Sequence, residues 1–110
     1  PMLRAEARFR SAQLRLRGGE NAAALAEARE CARIDPAHQE WPIVAVQAAV
    51  ALGDLHAALE AAEAAVDRMP LRLEFHEVRK TILEALGRPR DANAEARKIE
   101  RMRRRLATPA

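Results

Sequence analysis

Three histidines, one cysteine and one glycine pair are the residues in this 110-residue chain whose types could carry chemistry unaided. His38, His56 and His76 are not spaced i, i+4 with one another or with Cys31. No single helix face therefore gathers two metal ligands, and no metal site is expected. The three histidines fall near expected helix starts and read as surface or cap-region side chains. Cys31 would need a nearby base and a pocket to act as a nucleophile; nothing in the sequence supplies either, and it reads as a small buried residue. A lone cysteine also excludes an internal disulfide and a Cys-rich zinc site. Gly18-Gly19 lacks the preceding strand and the Lys-Ser/Thr of a phosphate-binding loop, so it marks a helix end. Neither an enzyme nor a cofactor is expected.

The elements that would position any site follow from composition. The chain holds 26 Ala and 17 Arg, against no Tyr, one Trp and two Phe. Alanine and arginine favour helix, and strand-favouring aromatic and β-branched residues are scarce, so an all-α domain is expected. Its 49% hydrophobic content suffices for one core spanning residues 1–110. The longest uncharged run, 41–53, is too short to span a bilayer. Arg4, Arg8 and Arg10 are not followed by an apolar run, so no signal peptide is visible and a cytoplasmic location is expected. Pro1 standing before Met2 leads us to expect a piece of a longer protein. The Ala/Arg-rich usage is of the sort that GC-rich bacterial genomes encode.

A repeat organises the chain. Gly19, Gly53 and Gly87 lie 34 residues apart, and the chain has only four glycines. The same step links Ala24, Ala58 and Ala92; Ala28, Ala62 and Ala96; Cys31, Ala65 and Ile99; Glu6, Glu40 and Glu74; and Pro36 with Pro70. Glycine ends one helix because it tolerates positive φ. Small residues at i and i+4 then let a neighbouring helix come close, and proline stops continuation. This predicts six helices, over 3–17, 20–34, 39–52, 54–68, 72–86 and 89–106. Apolar stripes at helical spacing agree: Trp41, Val44, Ala48 and Leu52, repeated as Phe75, Val78, Ile82 and Leu86. In the last helix the stripe is Ala92, Ala96, Ile99, Met102 and Leu106, expected to pack onto the third unit as a capping helix.

The small-residue helix from Ala24 to Cys31 with Ile34-Asp35-Pro36 resembles the tetratricopeptide repeat family. So does its successor from Gly53-Asp54-Leu55 through Ala58, Ala62 and Ala65 to Pro70. The resemblance is divergent: the family's Leu-Gly pair is absent, Arg79 and Lys80 stand at those positions in the third unit, and Trp41 and Phe75 sit one residue early. It implies a right-handed superhelical array of three antiparallel helix hairpins, with units at about 5–38, 39–72 and 73–106. It also implies a protein-protein interaction scaffold that holds a peptide or protein in a concave groove lined by the first helix of each unit. Carried over by position, that lining is Phe9, Gln13, Leu16 and Arg17, with Glu6; then Glu40, Ile43, Gln47 and Val50; then Glu74, Glu77, Thr81 and Glu84. One subclass of the family clamps a peptide's terminal carboxylate with Lys, Asn and Arg. Phe9, Gln13, Ile43, Glu74 and Thr81 stand at or beside those positions here, so such a clamp is not expected.

The lining runs from apolar at Phe9, Leu16, Ile43 and Val50 to acidic at Glu74, Glu77 and Glu84. It would suit a peptide with an apolar segment and basic residues toward the third unit. The net charge of +3 is also unevenly spread, with basic ends flanking an acidic middle. Two alternatives follow: self-association into a homo-oligomer through basic termini against that middle, and a docking domain of a larger enzyme. The last helix carries Arg97, Lys98, Arg101, Arg104 and Arg105 but no aromatic for base stacking. The acidic middle would also repel phosphate, so a nucleic-acid partner is not expected.

Overall fold

The computed structural model describes residues 2–107; Pro1, on which the expectation of a longer parent chain rested, lies outside them, as do residues 108–110. The described residues form α1 (Met2–Arg17), α2 (Asn21–Ile34), α3 (Trp41–Leu52), α4 (Leu55–Arg68), α5 (Leu73–Ala85) and α6 (Pro89–Ala107). Each bound falls within two residues of the expected one.

The three glycines work as the repeat requires. Gly19, Gly53 and Gly87 adopt φ of 77°, 74° and 71°, the only positive values among the described residues. Each sits one or two residues past a helix end and is followed by a backbone bond reaching five residues back: Glu20 N to Arg15 O, Asp54 N to Ala49 O, and Arg88 N to Leu83 O, at 2.8–3.0 Å. Together with the shorter bonds from Gly19, Gly53 and Gly87 to Leu16, Val50 and Glu84, these are three Schellman motifs in register. The chain reverses there and starts the next helix at once. At the second reversal, Asp54 caps α4 by accepting from Ala57 N at 3.0 Å. Between units, Pro36 and Pro70 follow helix-closing bonds from Asp35 N to Cys31 O and from Met69 N to Ala65 O.

Alanine builds the packing. Ala5, Ala12, Ala24, Ala28, Ala48, Ala49, Ala58 and Ala65 are fully buried, so backbones approach without large side chains between them. Consecutive helices pack on each other throughout, and α1 also touches α3. The next inner pair differs: α3 and α5 have no Cα atoms within 8 Å of each other. Ile43 and Val46 of α3 and Phe75 and Val78 of α5 line that gap.

The apolar stripe of α6 packs as expected through Ala92 and Ile99, but Leu106 is 72% exposed. A 19-residue α6 outruns its 13-residue partner α5, leaving its last turn with nothing to cover it.

Candidate functional site

Seven of the expected groove residues meet at one place. Phe9, Gln13, Leu16 and Arg17 of α1 and Glu40, Ile43, Val44 and Gln47 at α3 line a cavity of about 300 Å³. Phe9 and Val44 form its floor: both are buried and belong to the core, whereas Arg17, Glu40 and Gln47 are exposed at the rim. A neighbouring cavity of about 150 Å³ opens between α3 and α5, lined by Ile43, Val46, Gln47, Ala62, Glu74, Phe75 and Val78. Ile43 and Gln47 border both, so the two cavities adjoin along the face shared by α1, α3 and α5. A third, of about 410 Å³, lies between α5 and α6 and is lined by Glu77, Lys80, Thr81, Ala96, Ile99, Glu100 and Arg103. Val50, half exposed, lines none of the three. Glu84 is exposed beyond them.

His38 fixes the relative setting of the first two units. Its Nδ1 accepts from Glu40 N and Trp41 N, both at 3.2 Å, and so caps the start of α3. Its Nε2–H then donates to Glu6 on α1 at 3.3 Å, and its ring lies 4.8 Å from that of Phe9. Arg68 of α4 donates to its carbonyl at 3.3 Å and stacks over Trp41 at 5.8 Å. The cap-region reading of this histidine matches what it does.

The carboxylates of the third unit are already engaged. Glu74 pairs with Arg72, Glu77 with Arg103 at 2.8 Å, and Glu84 with Lys80 at 3.5 Å. A backbone hydrogen bond and the Arg72 guanidinium together hold the Glu74 carboxyl below its ordinary range. The acidic end of the groove is therefore a set of exposed ion pairs, and its electrostatic reach is shorter than the sequence alone implies.

His76 departs from the surface or cap-region reading given to the three histidines. It is 5% exposed, wedged between α5 and α6, where its ring meets the carboxylate of Glu95, itself 1% exposed. The Pro70 carbonyl accepts from His76 Nε2–H at 2.7 Å, and Arg79 Nη1 donates to the second oxygen of Glu95 at 2.8 Å. Sequence inspection missed this cluster, although a signal existed. Glu95 lies three residues after Ala92 and four before Ile99, inside the apolar stripe of α6. Charged groups in such a stripe are buried only when partnered. His56 is exposed.

Cys31 is fully buried, and its thiol is pushed up to about 11, first by burial and then by the nearby charges of Asp35 and Glu6. At neutral pH it is a protonated thiol, the unreactive form. Among the described residues no group of three or more His, Cys, Asp or Glu side chains is arranged to hold a metal ion. No helix among them is long and apolar enough to cross a membrane.

Among the described residues, six helices in 34-residue pairs with Schellman reversals and alanine seams define an all-α helical repeat of tetratricopeptide-like architecture. The solved structure of a MamA mutant is similar to it, with a TM-score of 0.78 at 15% identity, covering 89% of this chain and 72% of that one. No family model matches the chain, and no curated protein matches it in sequence.

Proposed function

We propose that this chain is a protein-binding module that holds a peptide segment of its partner along the face of α1, α3 and α5. The observation that carries this is the pair of adjoining cavities that share Ile43 and Gln47. An apolar floor beneath a polar rim is the arrangement that peptide recognition uses: side chains enter pockets while the rim's amides and charges meet the backbone. The smaller cavity has room for one aliphatic side chain between Phe75 and Val78. The larger one offers Phe9 and Leu16 with Gln13, Arg17, Glu40 and Gln47 around them.

Affinity on this reading comes mainly from apolar anchoring. A basic partner residue at the third unit would exchange for Arg72, Lys80 or Arg103, and exposed ion pairs are worth only about 0–1 kcal/mol each. The tetratricopeptide-like fold agrees with a binding scaffold.

The test is selection from a random peptide library, followed by calorimetry on the chain and on its Ile43→Glu variant with one selected synthetic peptide. Ile43 is half-buried at the border of both cavities, so a carboxylate there should abolish binding while circular dichroism stays unchanged. A selected peptide that binds the variant with unaltered affinity would place the binding surface elsewhere.

A further inference from the structure

Away from the groove, two exposed helical stripes carry opposite charge. On α4, Glu60, Glu63 and Asp67 follow one another by three and four residues, which aligns them along one face. All three are exposed and have neither hydrogen bond nor ion pair among the described residues. Several carboxylates elsewhere are occupied: Glu20 by Arg15, Glu27 by Arg8, and Glu30 by Arg33. One repeat later, the positions of Glu63 and Asp67 are held on α6 by Arg97 and Arg101. These two are likewise exposed and free of any partner among the described residues. Beside Arg101, Met102 and the 84%-exposed Leu71 add apolar surface.

Opposite charges at equivalent places in successive repeats cannot satisfy each other within the molecule, because α5 intervenes and α4 makes no backbone approach to α6. We infer that two copies of this chain associate through these stripes, α4 of each lying against α6 of the other. The charges select the symmetry. Two reversals separate α4 from α6, so they run in the same direction. A two-fold axis parallel to them exchanges the stripes at equal height, setting Glu63 opposite Arg97 of the partner subunit and Asp67 opposite Arg101 of the partner subunit. An axis across the helices would lay acid on acid and base on base. The first arrangement is isologous and closes as a dimer. On α2, Arg29 and Arg33 stand one repeat before the acidic stripe, but Arg33 is already held by Glu30 through its Nε at 3.0 Å. A polyanion on α6 would meet the acidic stripe of α4 one repeat away, which disfavours nucleic acid and an anionic bilayer. The contact depends on exposed charge, so salt weakens it. Both grooves stay open, and the dimer presents two peptide sites.

The experiment is sedimentation velocity across protein concentration at low and high salt. The wild-type chain should form dimers at low salt that dissociate at high salt. The pair Glu63→Arg with Asp67→Arg, and separately Arg97→Glu with Arg101→Glu, should each weaken dimerisation by about tenfold or more. Mixed together, these two variants should recover a heterodimer, because every reversed charge then faces its opposite. All four positions are exposed, so each variant should keep its helicity. A wild-type monomer at every concentration in low salt would overturn the inference. So would a dimer indifferent to both variants, a mixture that fails to pair, or vesicles of anionic phospholipid capturing a chain that stays monomeric.

Discussion

His76 and Glu95 lie nineteen residues apart in sequence and meet side chain to side chain in the closed joint between α5 and α6. The Pro70 carbonyl can only accept, which commits Nε2 of the ring as a donor and turns Nδ1 toward the carboxylate. Arg79 donates to the other carboxylate oxygen, so Glu95 gathers two partners and the turn before α5 is tied, through His76, to the last helix.

Removing that carboxylate should cost more stability than any other single change in the third unit. Glu95→Ala leaves His76 and Arg79 facing each other without an anion, and breaking one side of a buried charge cluster costs about 3–5 kcal/mol. Glu95→Gln keeps an acceptor for Arg79 and should lose roughly half as much. Urea unfolding followed by far-ultraviolet circular dichroism measures both; a loss below about 1 kcal/mol for the alanine variant would show that the cluster is not held together as described.

Cys31 gives the protein a predictable alkaline limb. Burial and nearby acidic charge raise the folded thiol from the ordinary 9.0 to about 11. The unfolded chain therefore gives up this proton at a lower pH than the folded chain does. Its contribution to stability is fully present below pH 9 and falls as pH climbs toward 11. Cys31→Ala, which installs the residue found at Ala65 one repeat later, should flatten the stability profile over that range. An unchanged slope between pH 9 and 11 would refute the assignment. Alkylation of Cys31 in the folded protein should also be slow, and fast in denaturant.

The reversal glycines should resist residues that avoid positive φ. Gly53 has open space around the place a Cβ would occupy, so crowding is not the issue; its φ of 74° is. Gly53→Ala should cost about 1–2 kcal/mol, whereas Gly53→Asn should cost less because asparagine enters the left-handed region more readily. Equal losses for the two in thermal unfolding would argue against this origin.

Charge and apolar contributions to the proposed groove should separate cleanly. Replacing Glu74, Glu77 and Glu84 together by Lys should weaken a selected peptide by less than about fivefold, because each carboxylate already has an internal cation. Phe75→Ala, which empties one wall of the smaller cavity, should weaken it by about tenfold or more. Calorimetry with one peptide on both variants decides; the reverse order would make the third unit's carboxylates the principal anchor.

The sequence determined the helices and their boundaries, because glycine register, proline stops and alanine seams act within a few residues of themselves and need no distant partner. Which residues would line the face of α1, α3 and α5 came from the resemblance to the tetratricopeptide family, carried along the 34-residue period. The tertiary structure decided what those positions become. Phe9 became part of the buried core beneath the first cavity, and Glu74, Glu77 and Glu84 found cations on α5, on α6 or just before α5. Ile43 and Phe75, on helices whose backbones do not approach each other, came to line one cavity. His76, Arg79 and Glu95 were brought together by the rotation of α6 against α5, a quantity no local pattern encodes. Periodicity along one helix fixes which side a residue is on; only packing between helices fixes what waits there.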